Sequence, residues 1–146
     1  MLNLSNVHSY YGQIHALDGI SFKVDEGSIC CLIGANGAGK STTLMAISGI
    51  QDIASGQVEF MGELINKKAP DAIVKQGIVQ VPEGRRIFPY LTVQENLMMG
   101  AYGVKDKDAI AESLEKNLER FPILAERNSQ PGGTLSGGEQ QMLAIA

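Results

Sequence analysis

Residues Gly34-Ala35-Asn36-Gly37-Ala38-Gly39-Lys40-Ser41 fill every position of the pattern G-x-x-x-x-G-K-[ST]. They follow directly on five apolar residues, Ile29-Cys30-Cys31-Leu32-Ile33. An apolar run, a glycine-rich turn and a helix start in that order confine the chain to the α/β class with a strand–loop–helix unit at its centre. Three glycines let the backbone curl until successive N–H groups point at one spot, and the following helix aims the positive end of its dipole there. Such a cradle suits a polyphosphate. The pattern assigns Lys40 to the β- and γ-phosphates of ATP and the Ser41 hydroxyl to Mg²⁺, with Gly34 through Gly39 and Thr42 lining the same nucleotide. A plain turn between strand and helix is the alternative, and the full match in this context weighs against it.

With 146 residues, 44% hydrophobic and 19% charged, the chain has the size and composition of a globular domain. Its net charge of -4 gives no electrostatic case for nucleic acid as a partner. No apolar stretch approaches the roughly 18 residues of a membrane span, and no basic segment precedes an apolar one at the N-terminus. The expectation is a cytoplasmic protein that meets a membrane only through partners. Cys30 and Cys31 lie side by side in the apolar run, where strand alternation sends them to opposite faces as buried, reduced packing residues. His8 and His15 have no cysteine or carboxylate cluster beside them, so the expected metal is the one that arrives with the nucleotide.

Alternation over residues 2–7, 20–24 and 57–60 predicts half-buried antiparallel strands. Residues 29–33 read instead as a central strand covered on both faces, and residues 78–81 as a second short apolar strand. Helices are predicted over 41–48, stopped by Gly49, and over 69–76, with Pro70 in the first turn. Thr92-Val93-Gln94-Glu95 is a capping box that opens another helix. Ile110, Leu114, Leu118 and Phe121 form the apolar stripe of a further one. Residues 128–135 read as loop. Ser136 then caps a helix whose apolar residues are still accumulating at Ala146, a pattern expected of a fragment that stops in mid-helix.

A phosphate loop alone serves kinases, GTPases, motors and transport ATPases. Leu135-Ser136-Gly137-Gly138-Glu139 narrows the choice, because a serine and two glycines at a helix start expose N–H groups and a dipole suited to a second anion contact. Ser136 and Glu139 also fit a simple capping box. Together, in this order, the two motifs resemble those of ABC ATPases, and the resemblance covers the whole chain. The run Gln80-Val81-Pro82-Glu83-Gly84-Arg85-Arg86-Ile87-Phe88-Pro89, with Tyr10-Tyr11-Gly12 and Glu95-Asn96-Leu97, closely resembles LivF-type ATPase subunits of branched-chain amino acid importers. Importers of urea and other polar solutes carry similar loops.

That resemblance implies a P-loop core with an N-terminal antiparallel β subdomain and a helical subdomain, the C-terminal part missing. It divides the incomplete domain into residues 1–80, nucleotide-binding core and β part; 81–135, Q-loop and helical part; and 136–146, the start of the signature helix. It implies that Tyr11 stacks on adenine. Gln80 takes a catalytic role beside Lys40, contacting Mg²⁺ or the attacking water. Ser136, Gly137, Gly138 and Glu139 meet ATP held by a second ATPase subunit in a head-to-tail dimer. Permease subunits, and through them a solute-binding protein outside the membrane, complete the implied partners. The strand with the Mg²⁺-associated aspartate, the glutamate that polarises water and the switch histidine all follow the signature helix in the family. A chain without them is expected to bind ATP weakly and hydrolyse it poorly. Two other readings are an ABC-type clamp acting on nucleic acid or the ribosome, and a non-hydrolytic nucleotide-binding fragment. No coiled-coil insertion or basic arm between Gln80 and Leu135 supports the clamp.

Overall fold

Alternating apolar residues at the start of the chain make a long hairpin, β1 (Leu2–Tyr11) and β2 (Ile14–Val24), turned at Gly12–Gln13. The computed structural model describes all 146 residues, which divide into two compact units, Met1–Gln80 and Val81–Ala146. In the first unit β3 (Ser55–Phe60) and the two-residue β4 (Glu63–Leu64) extend the hairpin into an antiparallel sheet of order β2-β1-β3-β4. Asn66 closes the edge beyond β4: its side chain accepts from the Val58 N–H at 2.6 Å and donates to the Gly56 carbonyl at 2.8 Å. Leu4, Val7, Leu17 and Val58 lie on the inner face, Leu4 and Val7 brought to one side by a register shift between them, and bury against Ala46, Ile47, Ile65 and Ile73. Helix α1 (Lys40–Ile47) supplies Ala46 and Ile47, and α2 (Pro70–Lys75) supplies Ile73.

Two predicted strands are absent. Residues 29–33 have no strand geometry and join no sheet; Ile29 is 96% and Ile33 95% exposed, and Cys30 and Cys31 are exposed as well. The expectation of a doubly covered strand with buried cysteines is therefore corrected. A parallel strand exists only through its hydrogen-bonded neighbours, and no strand of this chain pairs with residues 29–33. The same holds for residues 78–81, where Ile78 packs on the core but Val79 is 73% exposed.

The second unit is helical. Its α3 (Val93–Gly100), α4 (Lys107–Arg120), α5 (Pro122–Glu126) and α6 (Gly137–Ile145) gather around Val93, Leu124, Leu135 and Leu143. The Thr92–Glu95 capping box is present in full. Asn96 fastens the preceding loop, accepting from the Phe88 N–H at 2.8 Å while its amide donates to the carbonyls of Phe88, Leu91 and Thr92. Helix α5 and a 3₁₀ turn at Gly132–Thr134 occupy stretches without a predicted helix, although Pro122 at the first turn of α5 is a readable start signal.

Candidate nucleotide-binding site

The loop from Gly34 to Gly39 is open to solvent apart from its last residue, and turns through an Ala38 N–H to Ala35 carbonyl bond of 3.2 Å. Gly39 then starts α1 at φ 86°, and a Cβ there would stand 2.8 Å from the Ala16 carbonyl oxygen. Only glycine combines that backbone with so close an approach to β2. No side chain caps α1 and its first turn holds no acidic residue, so its N-terminal dipole faces the loop uncompensated. The Lys40 ammonium bends back into the loop and donates to the carbonyls of Gly34 and Ala35, each at 2.8 Å. Its charge thus sits inside the cradle where an anion would be received. Ser41 is exposed, whereas Thr42 is 9% exposed and turned toward the interior beside Thr43.

Both ends of α1 are tied to the hairpin. Gly39 abuts β2, and Gln51, just beyond the helix, donates to the Ser9 hydroxyl and the Tyr10 carbonyl at 3.0 Å. Tyr11, 44% exposed, pairs with Ile14 across the turn that leads into the same β2, so this aromatic and the loop share one mount. Gln80 is held elsewhere. Its Oε1 accepts from the Ser48 hydroxyl at 2.7 Å, seven residues and so about 10 Å along the helix from Ser41. In this conformation Gln80 and Ser41 are not brought together as ligands of one ion. Ser48 and Gln51 carry no motif, and sequence reasoning had no signal by which to find them.

In the second unit Ser136 forms a complete capping box with Glu139. The Ser136 N–H donates to the carboxylate at 2.7 Å, and the Glu139 N–H donates to the serine hydroxyl at 3.4 Å. Hydrogen bonds from the Ser136 side chain and backbone hold the Glu139 carboxyl below its ordinary value, with a smaller contribution from Arg127, whose Nε lies 3.1 Å away. The Arg85 guanidinium lies over Gly137, so close that a Cβ there would be 2.9 Å from Nη2, and Nη1 donates to Gln140 at 3.3 Å. Arg85 and its neighbour Arg86 both have positive φ, 68° and 47°, an uncommon backbone for residues with side chains.

An antiparallel sheet packed on the helix of a phosphate-type loop, with a helical unit carrying the capped Ser-Gly-Gly-Glu start, has the architecture of an ATP-binding cassette. The chain belongs to the ABC transporter family, whose model matches residues 17–146. It is 50% identical over 145 residues to the high-affinity branched-chain amino acid transport ATP-binding protein BraG of Pseudomonas aeruginosa, covering 99% of this chain and 62% of that one. Identity to the probable branched-chain amino acid transport ATP-binding protein LivF of Archaeoglobus fulgidus is 38%, over 100% of this chain and 61% of the relative. Among solved structures, a nucleotide-free ATP-binding cassette from an ABC transporter superposes with TM-score 0.85 at 30% identity, covering 99% and 62% of the two chains. A dimeric bacterial ABC transporter cassette gives TM-score 0.82 at 26% identity, over 99% and 67%. The chain spans about three fifths of the length of the curated relatives it matches.

Proposed function

We propose that this chain is the nucleotide-binding part of an ATPase subunit that couples ATP to the import of branched-chain or other amino acids. The observation that carries the reading is the uncapped start of α1 with the Lys40 ammonium turned into the loop. Helix N–H groups that no side chain caps, beside a cation bonded to its own loop carbonyls, fit a polyphosphate. On binding, Lys40 exchanges the carbonyls of Gly34 and Ala35 for β- and γ-phosphate oxygens. Backbone N–H groups of residues 34–42 hold the remaining charge, and Tyr11 stacks on the base. Ser41 offers its hydroxyl to Mg²⁺, and Gln80 joins it only after leaving Ser48. The relatives' names support the transport role.

Ser136, Gly137 and Gly138 present their N–H and hydroxyl groups to ATP held by a second subunit, and Glu139 holds the serine in place until that contact forms. A dimeric cassette among the solved structures supports this arrangement. Permease subunits dock on the second unit. Supporting this, Phe88, Met98, Met99, Tyr90 and Tyr102 are between 45% and 95% exposed, and a cavity of about 430 Å³ opens between Pro82, Phe88, Leu97 and Tyr102. No helix is long and apolar enough to cross a membrane, so a peripheral position on the cytoplasmic face rests on those partners.

Low turnover by residues 1–146 alone is part of the proposal, because the glutamate that polarises water in the resembling family follows the signature helix. Mg-ATP binding and phosphate release, measured on this chain and on a version extended by the remaining cassette of a relative, test the proposal. Binding by both with turnover only in the extended form is expected. Equal turnover by the short chain contradicts the assignment of roles.

A further inference from the structure

The β1–β2 hairpin brings together three side chains that the sequence leaves apart. His8 Nδ1 lies 3.1 Å from His15 Nε2, and Asp18 Oδ1 lies 3.6 Å from the first nitrogen and 3.8 Å from the second. The absence of a histidine and carboxylate cluster, expected from the sequence, is thereby corrected. Residues 15 and 18 of a regular strand face opposite sides of a sheet. Here β2 carries an extra residue at Ala16, between the pairs Tyr10–His15 and Ser9–Leu17. It carries another at Asp18–Gly19, which together oppose His8 alone. These bulges restore the two side chains to one side. Gly19 takes φ 67°, a backbone that glycine favours, and a Cβ there would stand 3.0 Å from Asn6 Oδ1 and in contact with the His8 ring. The Tyr10 ring stacks on His15 at 4.2 Å and 6°, fixing the second imidazole.

We propose that His8, His15 and Asp18 form a binding site for a borderline divalent transition ion such as Zn²⁺. Two imidazoles and a carboxylate are a ligand set of that class. A tetrahedral ion with arms of about 2.0–2.1 Å needs donor atoms about 3.3–3.4 Å apart, and the three separations observed bracket that length. In the ion-free chain the short nitrogen–nitrogen contact requires one ring to donate a proton to the other. With the protons on His8 Nε2 and His15 Nδ1 instead, both facing nitrogens present lone pairs, and a turn of the two rings, whose centroids are 5.2 Å apart, aims them at an ion beside the line that joins the nitrogens. Asp18, 82% exposed, turns freely to complete three protein ligands and leaves the fourth position to water. The bulged hairpin thus gathers two of the ligands side by side before the ion arrives.

Zn²⁺ titrated calorimetrically into the chain tests this site, in a Cys30→Ser, Cys31→Ser background that removes the two exposed thiols as competing ligands. One ion per chain is expected. Substitution Asp18→Asn, on an exposed side chain that no packing depends on, should weaken it about tenfold or more, and His8→Gln and His15→Gln likewise. Zn²⁺ should also raise the unfolding temperature of the parent and not of the variants. No heat beyond dilution in the parent, or undiminished affinity in Asp18→Asn and both histidine variants, would overturn the proposal and leave the cluster as a hydrogen-bonded clasp of the hairpin.

Discussion

Helices α1 and α6 both begin at glycine-rich motifs, yet their N-termini are prepared in opposite ways. Helix α1 starts at a bare Gly39 with no capping side chain and no acidic residue in its first turn, while α6 is closed by Ser136 and a Glu139 carboxylate. One end leaves its donors and dipole for an outside anion; the other already carries an anion of its own. The first can therefore bind a phosphate group within a single chain. Under the proposed function, a γ-phosphate arriving at the second would have to displace or reorient Glu139, which is why that contact is assigned to a partner able to bring charge and contact area together. The difference in capping is what separates the two roles in the proposed function.

Removing the charge from the open end should have the largest effect. Lys40→Ala is expected to weaken Mg-ATP binding about 100-fold, equivalent to about 2.7 kcal/mol, in a calorimetric titration, with the circular dichroism spectrum unchanged. Next is the scaffold that presents the second unit. Asn96→Ala abandons the bonds to Phe88, Leu91 and Thr92 and should cost about 2 kcal/mol of stability in urea unfolding. Cap removal comes third: Thr92→Ala should lower the stability of the helical unit by about 1 kcal/mol and leave ATP affinity unaltered. Ser48→Ala releases Gln80 from its present partner and should tighten Mg-ATP binding a few-fold, under about 1 kcal/mol. A weaker affinity instead would mean that Gln80 serves the site from where it now lies.

The smallest effect concerns pH and the two capping boxes of the helical unit, which the α1 end lacks. Glu95 is held below its ordinary value of 4.5 chiefly by the Thr92 N–H, and Glu139 chiefly by the Ser136 side chain. Both carboxylates bind protons less readily folded than unfolded. Their stabilising contribution is therefore complete above about 4.5 and is lost as the pH falls from there through the depressed folded values. Unfolding followed against pH should show the helical unit losing stability in that window, and Glu95→Gln with Glu139→Gln should flatten its share of the slope. An unchanged slope would show that these boxes do not couple to protonation.

How much of this was legible in the sequence depends on how local each signal is. The phosphate-type loop, Gly39, Lys40 and both capping boxes are written within four to eight consecutive residues and were found where they stand. Strand formation by residues 29–33 was not decided locally: apolar residues declare a wish for burial, but a strand needs a neighbour to take its hydrogen bonds. The two-residue β4 is too short to show alternation. His8, His15 and Asp18 escaped notice because the bulges that gather them depend on the register of β1 against β2, which sequence spacing does not disclose. Gln80 stands out in the sequence only through the resemblance, and its bond to Ser48 arises from packing between segments thirty-two residues apart.

The central claim is that the open end of α1, with Lys40 turned into its loop, receives the phosphates of ATP. Calorimetric titration of Mg-ATP into the chain, run beside Lys40→Ala with circular dichroism showing both samples folded, tests it most directly. Saturable one-site binding that the substitution weakens about 100-fold is the expected result. Absence of binding in the folded parent, or equal affinity in the two proteins, would contradict it.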